Sequence, residues 1–116
     1  MTSKELAWKA AKFADDKKAH NICILCMEEL TIVTDYFVIV SASSSTQVKA
    51  ICDNVEDRLA EENIKLLHKE GIDNSQWVLL DYGDIVVHIF LDEVREFYDL
   101  EALWSDAQVE HYIGEE

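Results

Sequence analysis

The chain has 116 residues, 49% of them hydrophobic, enough for one domain (1–116) with a real apolar core. No run of about 18 apolar residues occurs, so nothing in the sequence reads as a membrane span. Twenty-four acids against ten Lys and Arg give a net charge of −14, a surface that repels a phosphate backbone, so little direct nucleic-acid binding is expected.

Taken in chain order, residues 3–18 place Leu6, Ala10, Phe13 and Ala14 on one side at helical spacing, which predicts a helix with Ser3 as its cap. The opening stretch MTSKELAWKAAKFADDKK alternates charged and apolar residues and lacks the apolar run of a secretory signal, which points to a cytoplasmic protein. Residues 22–27 form a short apolar run and read as a strand. Within it Cys23 and Cys26 make a C-x-x-C spacing. On a strand, residues three apart point to opposite faces, so the two thiols cannot share one zinc ion and read as structural. The third cysteine, Cys52, leaves an odd count without a disulfide pattern, in keeping with a reducing compartment.

The segment DYFVIVS (35–41) is aromatic and β-branched on both faces, the signature of a central strand covered on both sides. Ser44 and Gln47 have capping-box spacing, and Val48, Ile51, Cys52, Val55 and Leu59 follow on one helical face. A short strand is predicted at 64–68 and a loop at 69–76. Strands at 77–80 and 85–90 then form a hairpin around Asp81-Tyr82-Gly83-Asp84, with Gly83 supplying the positive φ of a tight turn. Asp92 is expected to cap a last helix whose apolar side is Val94, Phe97, Tyr98, Leu100, Leu103 and Trp104, and the chain from about 109 is expected to fray. The element order predicts an α/β fold, a mixed sheet of about five strands with helices packed against it.

Asp81 and Asp84 are the best candidates for chemistry. A two-metal phosphoryl-transfer site needs converging carboxylates, and a strand offers those two residues apart. Here the acids are three apart and straddle a turn, with Asp35 open as a third ligand. Gly71, Gly83 and Gly114 make no phosphate loop, and no serine sits in a nucleophile elbow. His88 lies inside an apolar strand and reads as a core histidine rather than a base. No cofactor is expected; a nucleotidyltransferase-like, metal-dependent enzyme stands as the alternative.

The last third of the chain favours docking. From Asp92 onward nine acids face a single cation, Arg95. A solvated acidic face is the plain reading; a field that steers in a basic protein is the sharper one. Trp77, Tyr82, Phe97, Tyr98 and Trp104 lie among acids in the C-terminal third of the chain, and aromatic anchors ringed by charge are what protein interfaces favour. Phe97 and Trp104 could equally pack the last helix onto the sheet. Tyr82, at a turn tip, is expected to be hard to bury. Residues alone stop at an acidic adaptor for a basic protein.

Four segments together resemble the ribosomal silencing factor family (RsfS/Iojap): DYFVIVSASSSTQVKAI (35–51), the neighbourhood of His68, Glu70 and Gly71, WVLLDYGDIVVHIF (77–90) and REFYDLEALW (95–104). The resemblance covers nearly the whole chain, with SASSST standing where the family usually has a glycine-containing turn. It implies a nucleotidyltransferase-like topology without the catalytic carboxylates, and no enzymatic activity. It implies binding to ribosomal protein L-fourteen on the large ribosomal subunit, a steric block to the small subunit, and a homodimer when free. On the matched hairpin motif it gives the contact role to Trp77, Asp81, Tyr82 and Asp84. His68, Glu70, Arg95 and Tyr98 follow from the flanking motifs.

Overall fold

The computed structural model describes residues 1–114. Its ten elements run α1 (Ser3–Asp15), β1 (His20–Cys26), β2 (Tyr36–Ala42), α2 (Ser45–Glu61), β3 (His68–Glu70), β4 (Trp77–Asp81), β5 (Ile85–Leu91), α3 (Asp92–Tyr98), α4 (Leu100–Leu103) and β6 (Gln108–His111). The strands form one mixed sheet in the order β3-β4-β5-β2-β1-β6. β2 and β5 are parallel, and the remaining pairs are antiparallel.

Both predicted long helices form, and both lie on one side of the sheet. Leu6, Ala7, Ala10, Ala11, Phe13 and Ala14 of α1 join Val48, Ile51, Cys52, Val55 and Leu59 of α2 in a single buried cluster with Ile24, Val38, Val40, Val78, Leu80, Val87 and Ile89. The alanines explain the close approach of α1, since a methyl group is the only bulk between backbone and sheet. Thr2 caps α1, not Ser3 as the spacing suggested: its Oγ1 accepts from the Glu5 amide at 3.1 Å and Glu5 reaches back to complete the box. Ser3 instead donates its hydroxyl to Asp35. At α2, Ser44 Oγ accepts from the Gln47 amide, but the Gln47 carbonyl oxygen takes the Ser43 amide. The Gln47 amide group donates to the Lys17 and Lys18 carbonyls, so one side chain ties the end of α1 to the start of α2.

β2 is the predicted central strand, and β5, predicted only as a hairpin arm, lies parallel beside it in the middle of the sheet. Val38, Ile39 and Val40 are fully buried, with Val38 and Val40 facing the helices and Ile39 the other side.

Four expectations are corrected. The apolar alternation at 64–68 is not a strand: Ile64 and Leu66 pack against the core, pairing starts at the Leu67 amide, and β3 is His68–Glu70 within the predicted loop. The segment around 109 is not frayed. Its backbone completes the outer edge of β1 as β6, which gives the sheet six strands and shields an otherwise open edge. The last helix is two, because Asp99 turns left-handed at φ 46°, ends α3 and caps α4 through its own carboxylate. Asp92 is therefore the first residue of α3 rather than its cap, and its carboxylate meets His20 Nε2 at 2.6 Å.

Candidate docking face

The side of the sheet away from α1 and α2 holds the candidate site. The register fixes who shares it. Trp77, Leu79 and Asp81 alternate outward along β4. Opposite them lie Phe90, His88 and Val86 on β5, with Glu70 and His68 paired to Leu79 and Asp81 on β3. Cys23, Leu25, Met27, Ile39, Phe90 and Ala107 are buried on this side, and Phe37, Trp77, Val94, Leu100 and Trp104 pack against them. The short helices α3 and α4 thus cover only part of it.

Trp77 is the centre. Its ring stacks on Phe90 at 4.8 Å and meets Tyr98 of α3 at 4.8 Å. Its indole Nε1 donates to His88 Nδ1 at 3.1 Å. Gly71 holds the strand start in place: at φ +85° it lies so close to the Trp77 carbonyl that an added Cβ would sit 1.9 Å from that oxygen. His88 is the core histidine that the apolar run predicted. Burial pushes its pKa down from 6.5 to about 4, so the ring is neutral at physiological pH.

Around this aromatic centre the charged residues spread. His68 and Glu70 are exposed and pair with each other at 3.3 Å. Asp84 is exposed at the turn, while Asp81 is half-buried and its Oδ1 accepts from the Gly83 amide at 2.8 Å. One carboxylate of the pair is thereby committed to shaping the turn. Asp35, the third acid considered for a metal, reaches Ser3 with its side chain. Among the described residues the one group with metal-ligand spacing is Cys52, Asp53 and Glu56. There Lys69 already pairs with Glu56 at 2.7 Å, a bond that raises the lysine pKa. Cys23 and Cys26 do face opposite ways, Cys23 into the cluster beneath Trp104 and Cys26 toward Tyr36.

Two expected contact residues are placed otherwise. Tyr82 is buried at the turn tip, 7% exposed, because the backbone reverses there and sends the ring under the helix side of the sheet against the core. Burial also pushes its phenol pKa up. Tyr82 can support the turn but offers a partner little surface. Arg95 points inward: its guanidinium donates to the Ser41 hydroxyl at 2.8 Å, to the Asn21 carbonyl and to Glu101. It braces α3 against β1, β2 and α4. Trp104 packs as the plain reading held, while Phe97 stands 81% exposed beside Tyr98 at 5.1 Å. Phe97 therefore does not pack onto the sheet, and Leu103, read onto the apolar side of a single continuous helix, stands 71% exposed. The Asp99 break, which separates α4 and its Leu103 from α3, has no glycine to announce it.

The chain is similar to known proteins along nearly its whole length. The family described as ribosomal silencing factor during starvation matches residues 1–115. A ribosomal silencing factor of Bacillus subtilis is 43% identical over 107 residues, spanning 92% of this chain and 91% of that protein. The chloroplast protein Iojap of Zea mays is 38% identical over 97 residues, 84% of this chain and 42% of the longer relative. A crystal structure of a Chromobacterium violaceum protein superposes with a TM-score of 0.88 at 33% identity, over 98% of this chain and 95% of the other.

Proposed function

The chain belongs to the ribosomal silencing factor family, and from that premise we propose that it is a translational repressor that works by occupation of space rather than by catalysis. It docks on ribosomal protein L-fourteen of the large ribosomal subunit and keeps the small subunit from joining. Its place of work is the cytoplasm, and free of the ribosome it pairs as a homodimer.

The observation that carries this reading is the side of the sheet that α3 and α4 cover only in part. Trp77 and Tyr98 form a partly exposed aromatic pair at the start of β4, with Glu70 of β3 paired to Leu79 midway along that strand and Asp81 and Asp84 at its far end and turn. Such a centre is apolar enough to anchor a partner, and its rim is acidic. A basic ribosomal protein would be drawn in by the net charge of −14, while the same charge discourages adhesion to RNA. Contact is assigned to Trp77, Tyr98, Asp81, Asp84, His68 and Glu70; Tyr82 and Arg95 hold the turn and α3 behind them.

Sedimentation with purified large subunits tests the reading. The protein should travel with them and should slow their joining to small subunits in light scattering. Free sedimentation at low salt, or joining at an unchanged rate with the protein bound, would sink it.

A further inference from the structure

One buried group on this side of the sheet has a role that the docking reading leaves unassigned. His88 is 4% exposed and sits between Trp77 and Phe37, with ring centroids 6.0 and 4.7 Å away. Its Nδ1 accepts the Trp77 indole proton. Acceptance at Nδ1 requires the proton of the neutral ring to be on Nε2. The depressed pKa of His88 agrees with a ring that stays uncharged. Nε2 has no hydrogen-bond partner among the described residues, so the donor bond from Trp77 is the hydrogen bond that fixes this ring.

The consequence concerns Trp77. An indole has one polar atom, the Nε1 donor. His88 consumes it from the inside, and Phe90 and Tyr98 hold the plane of the ring. We infer that His88 is a positioning residue that takes up the only polar atom of Trp77 and leaves ring carbons alone for a partner, so that the partner surface meeting Trp77 is aliphatic or aromatic rather than a hydrogen-bond acceptor. The partner is then a basic protein with an apolar slot at the centre of its contact, the basic groups falling on Asp81, Asp84 and Glu70. This deepens the proposed function and rests on it only for the binding readout.

Two variants separate positioning from bulk. In His88→Asn the amide oxygen stands where Nδ1 was and keeps the acceptor. In His88→Leu the acceptor is lost and the indole donor is left unmet beside an apolar neighbour, a situation that costs binding about tenfold or more when the ring must swing to find water. Three measurements are made. Nitrogen-15 spectra of the free protein should show His88 as the neutral Nε2–H tautomer. The Trp77 indole proton, assigned with Trp77→Phe, should exchange slowly in the parent chain and in His88→Asn and fast in His88→Leu. Binding to isolated large subunits should survive in His88→Asn and fall in His88→Leu, with both variants folded by circular dichroism.

An Nδ1–H tautomer, a freely exchanging Trp77 indole in the parent chain, or parent-like binding by His88→Leu would each overturn the assignment. If the parent chain itself fails to bind large subunits, the docking reading falls, and the tautomer and exchange data still decide whether His88 holds the indole.

Discussion

The two sides of the sheet are built from different chemistry. The side under α1 and α2 is closed mainly with aliphatic groups and alanine, with Phe13 and Tyr82 as its buried rings, and its strand residues Ile24, Val38, Val40, Val87 and Ile89 are at most 1% exposed. The other side is aromatic, with Phe37, Trp77, His88, Phe90, Tyr98 and Trp104 linked ring to ring, and its cover is two helices of seven and four residues. Aliphatic side chains close a core by shape and leave nothing to recognise. Rings carry large area with few rotatable bonds, so they can stay partly exposed in one arrangement and meet a partner at low entropic cost. The first side holds the larger buried core, and the second leaves some of its rings partly exposed.

That division can be broken by experiment. Leu59→Ala, deep under α2, should lower stability by about 3 kcal/mol in urea unfolding while the folded fraction docks as before. Weakened docking per folded molecule would mean that the two sides are not independent. Acidification should act through His88 on the open side. Its folded pKa is depressed, so the unfolded chain takes up a proton first. Stability should be whole above pH 6.5 and fall by about 3 kcal/mol as the pH drops toward about 4, a slope that His88→Asn removes. Trp77→Ala should cost about 2 kcal/mol of affinity for large subunits, the scale of an aromatic anchor, with a smaller loss of stability because the ring is only partly buried. The mildest test is charge. Asp84→Lys should weaken docking by about 1 kcal/mol at low salt, chiefly through a slower on-rate, and the difference should shrink as salt is added.

Much of the closed side was legible in the chain itself. Val48, Ile51, Cys52, Val55 and Leu59 announce α2 and the face it buries, because a repeat of 3.6 residues has one geometric solution. DYFVIVS announces β2 as the middle of the sheet, since only a strand covered on both sides tolerates apolar groups at every position. The hairpin was equally plain, with Gly83 at φ +86° where the turn demanded it. The open side was legible in its ingredients but not in its arrangement. Nothing local to Tyr82 says that its ring folds back under the sheet, nothing local to Arg95 says that its charge is spent on Ser41 and Glu101, and nothing marks Asp99 as the residue that splits the last helix.

The amino-acid order by itself determined α1, α2, the central strand β2, the β4–β5 hairpin and the acidic character of the molecule, since these depend on residue spacing and on counts of charge. Which rings and acids come together on one surface was decided by strand register and by the break at Asp99, because those set contacts between residues far apart in the chain, where no local pattern carries the information.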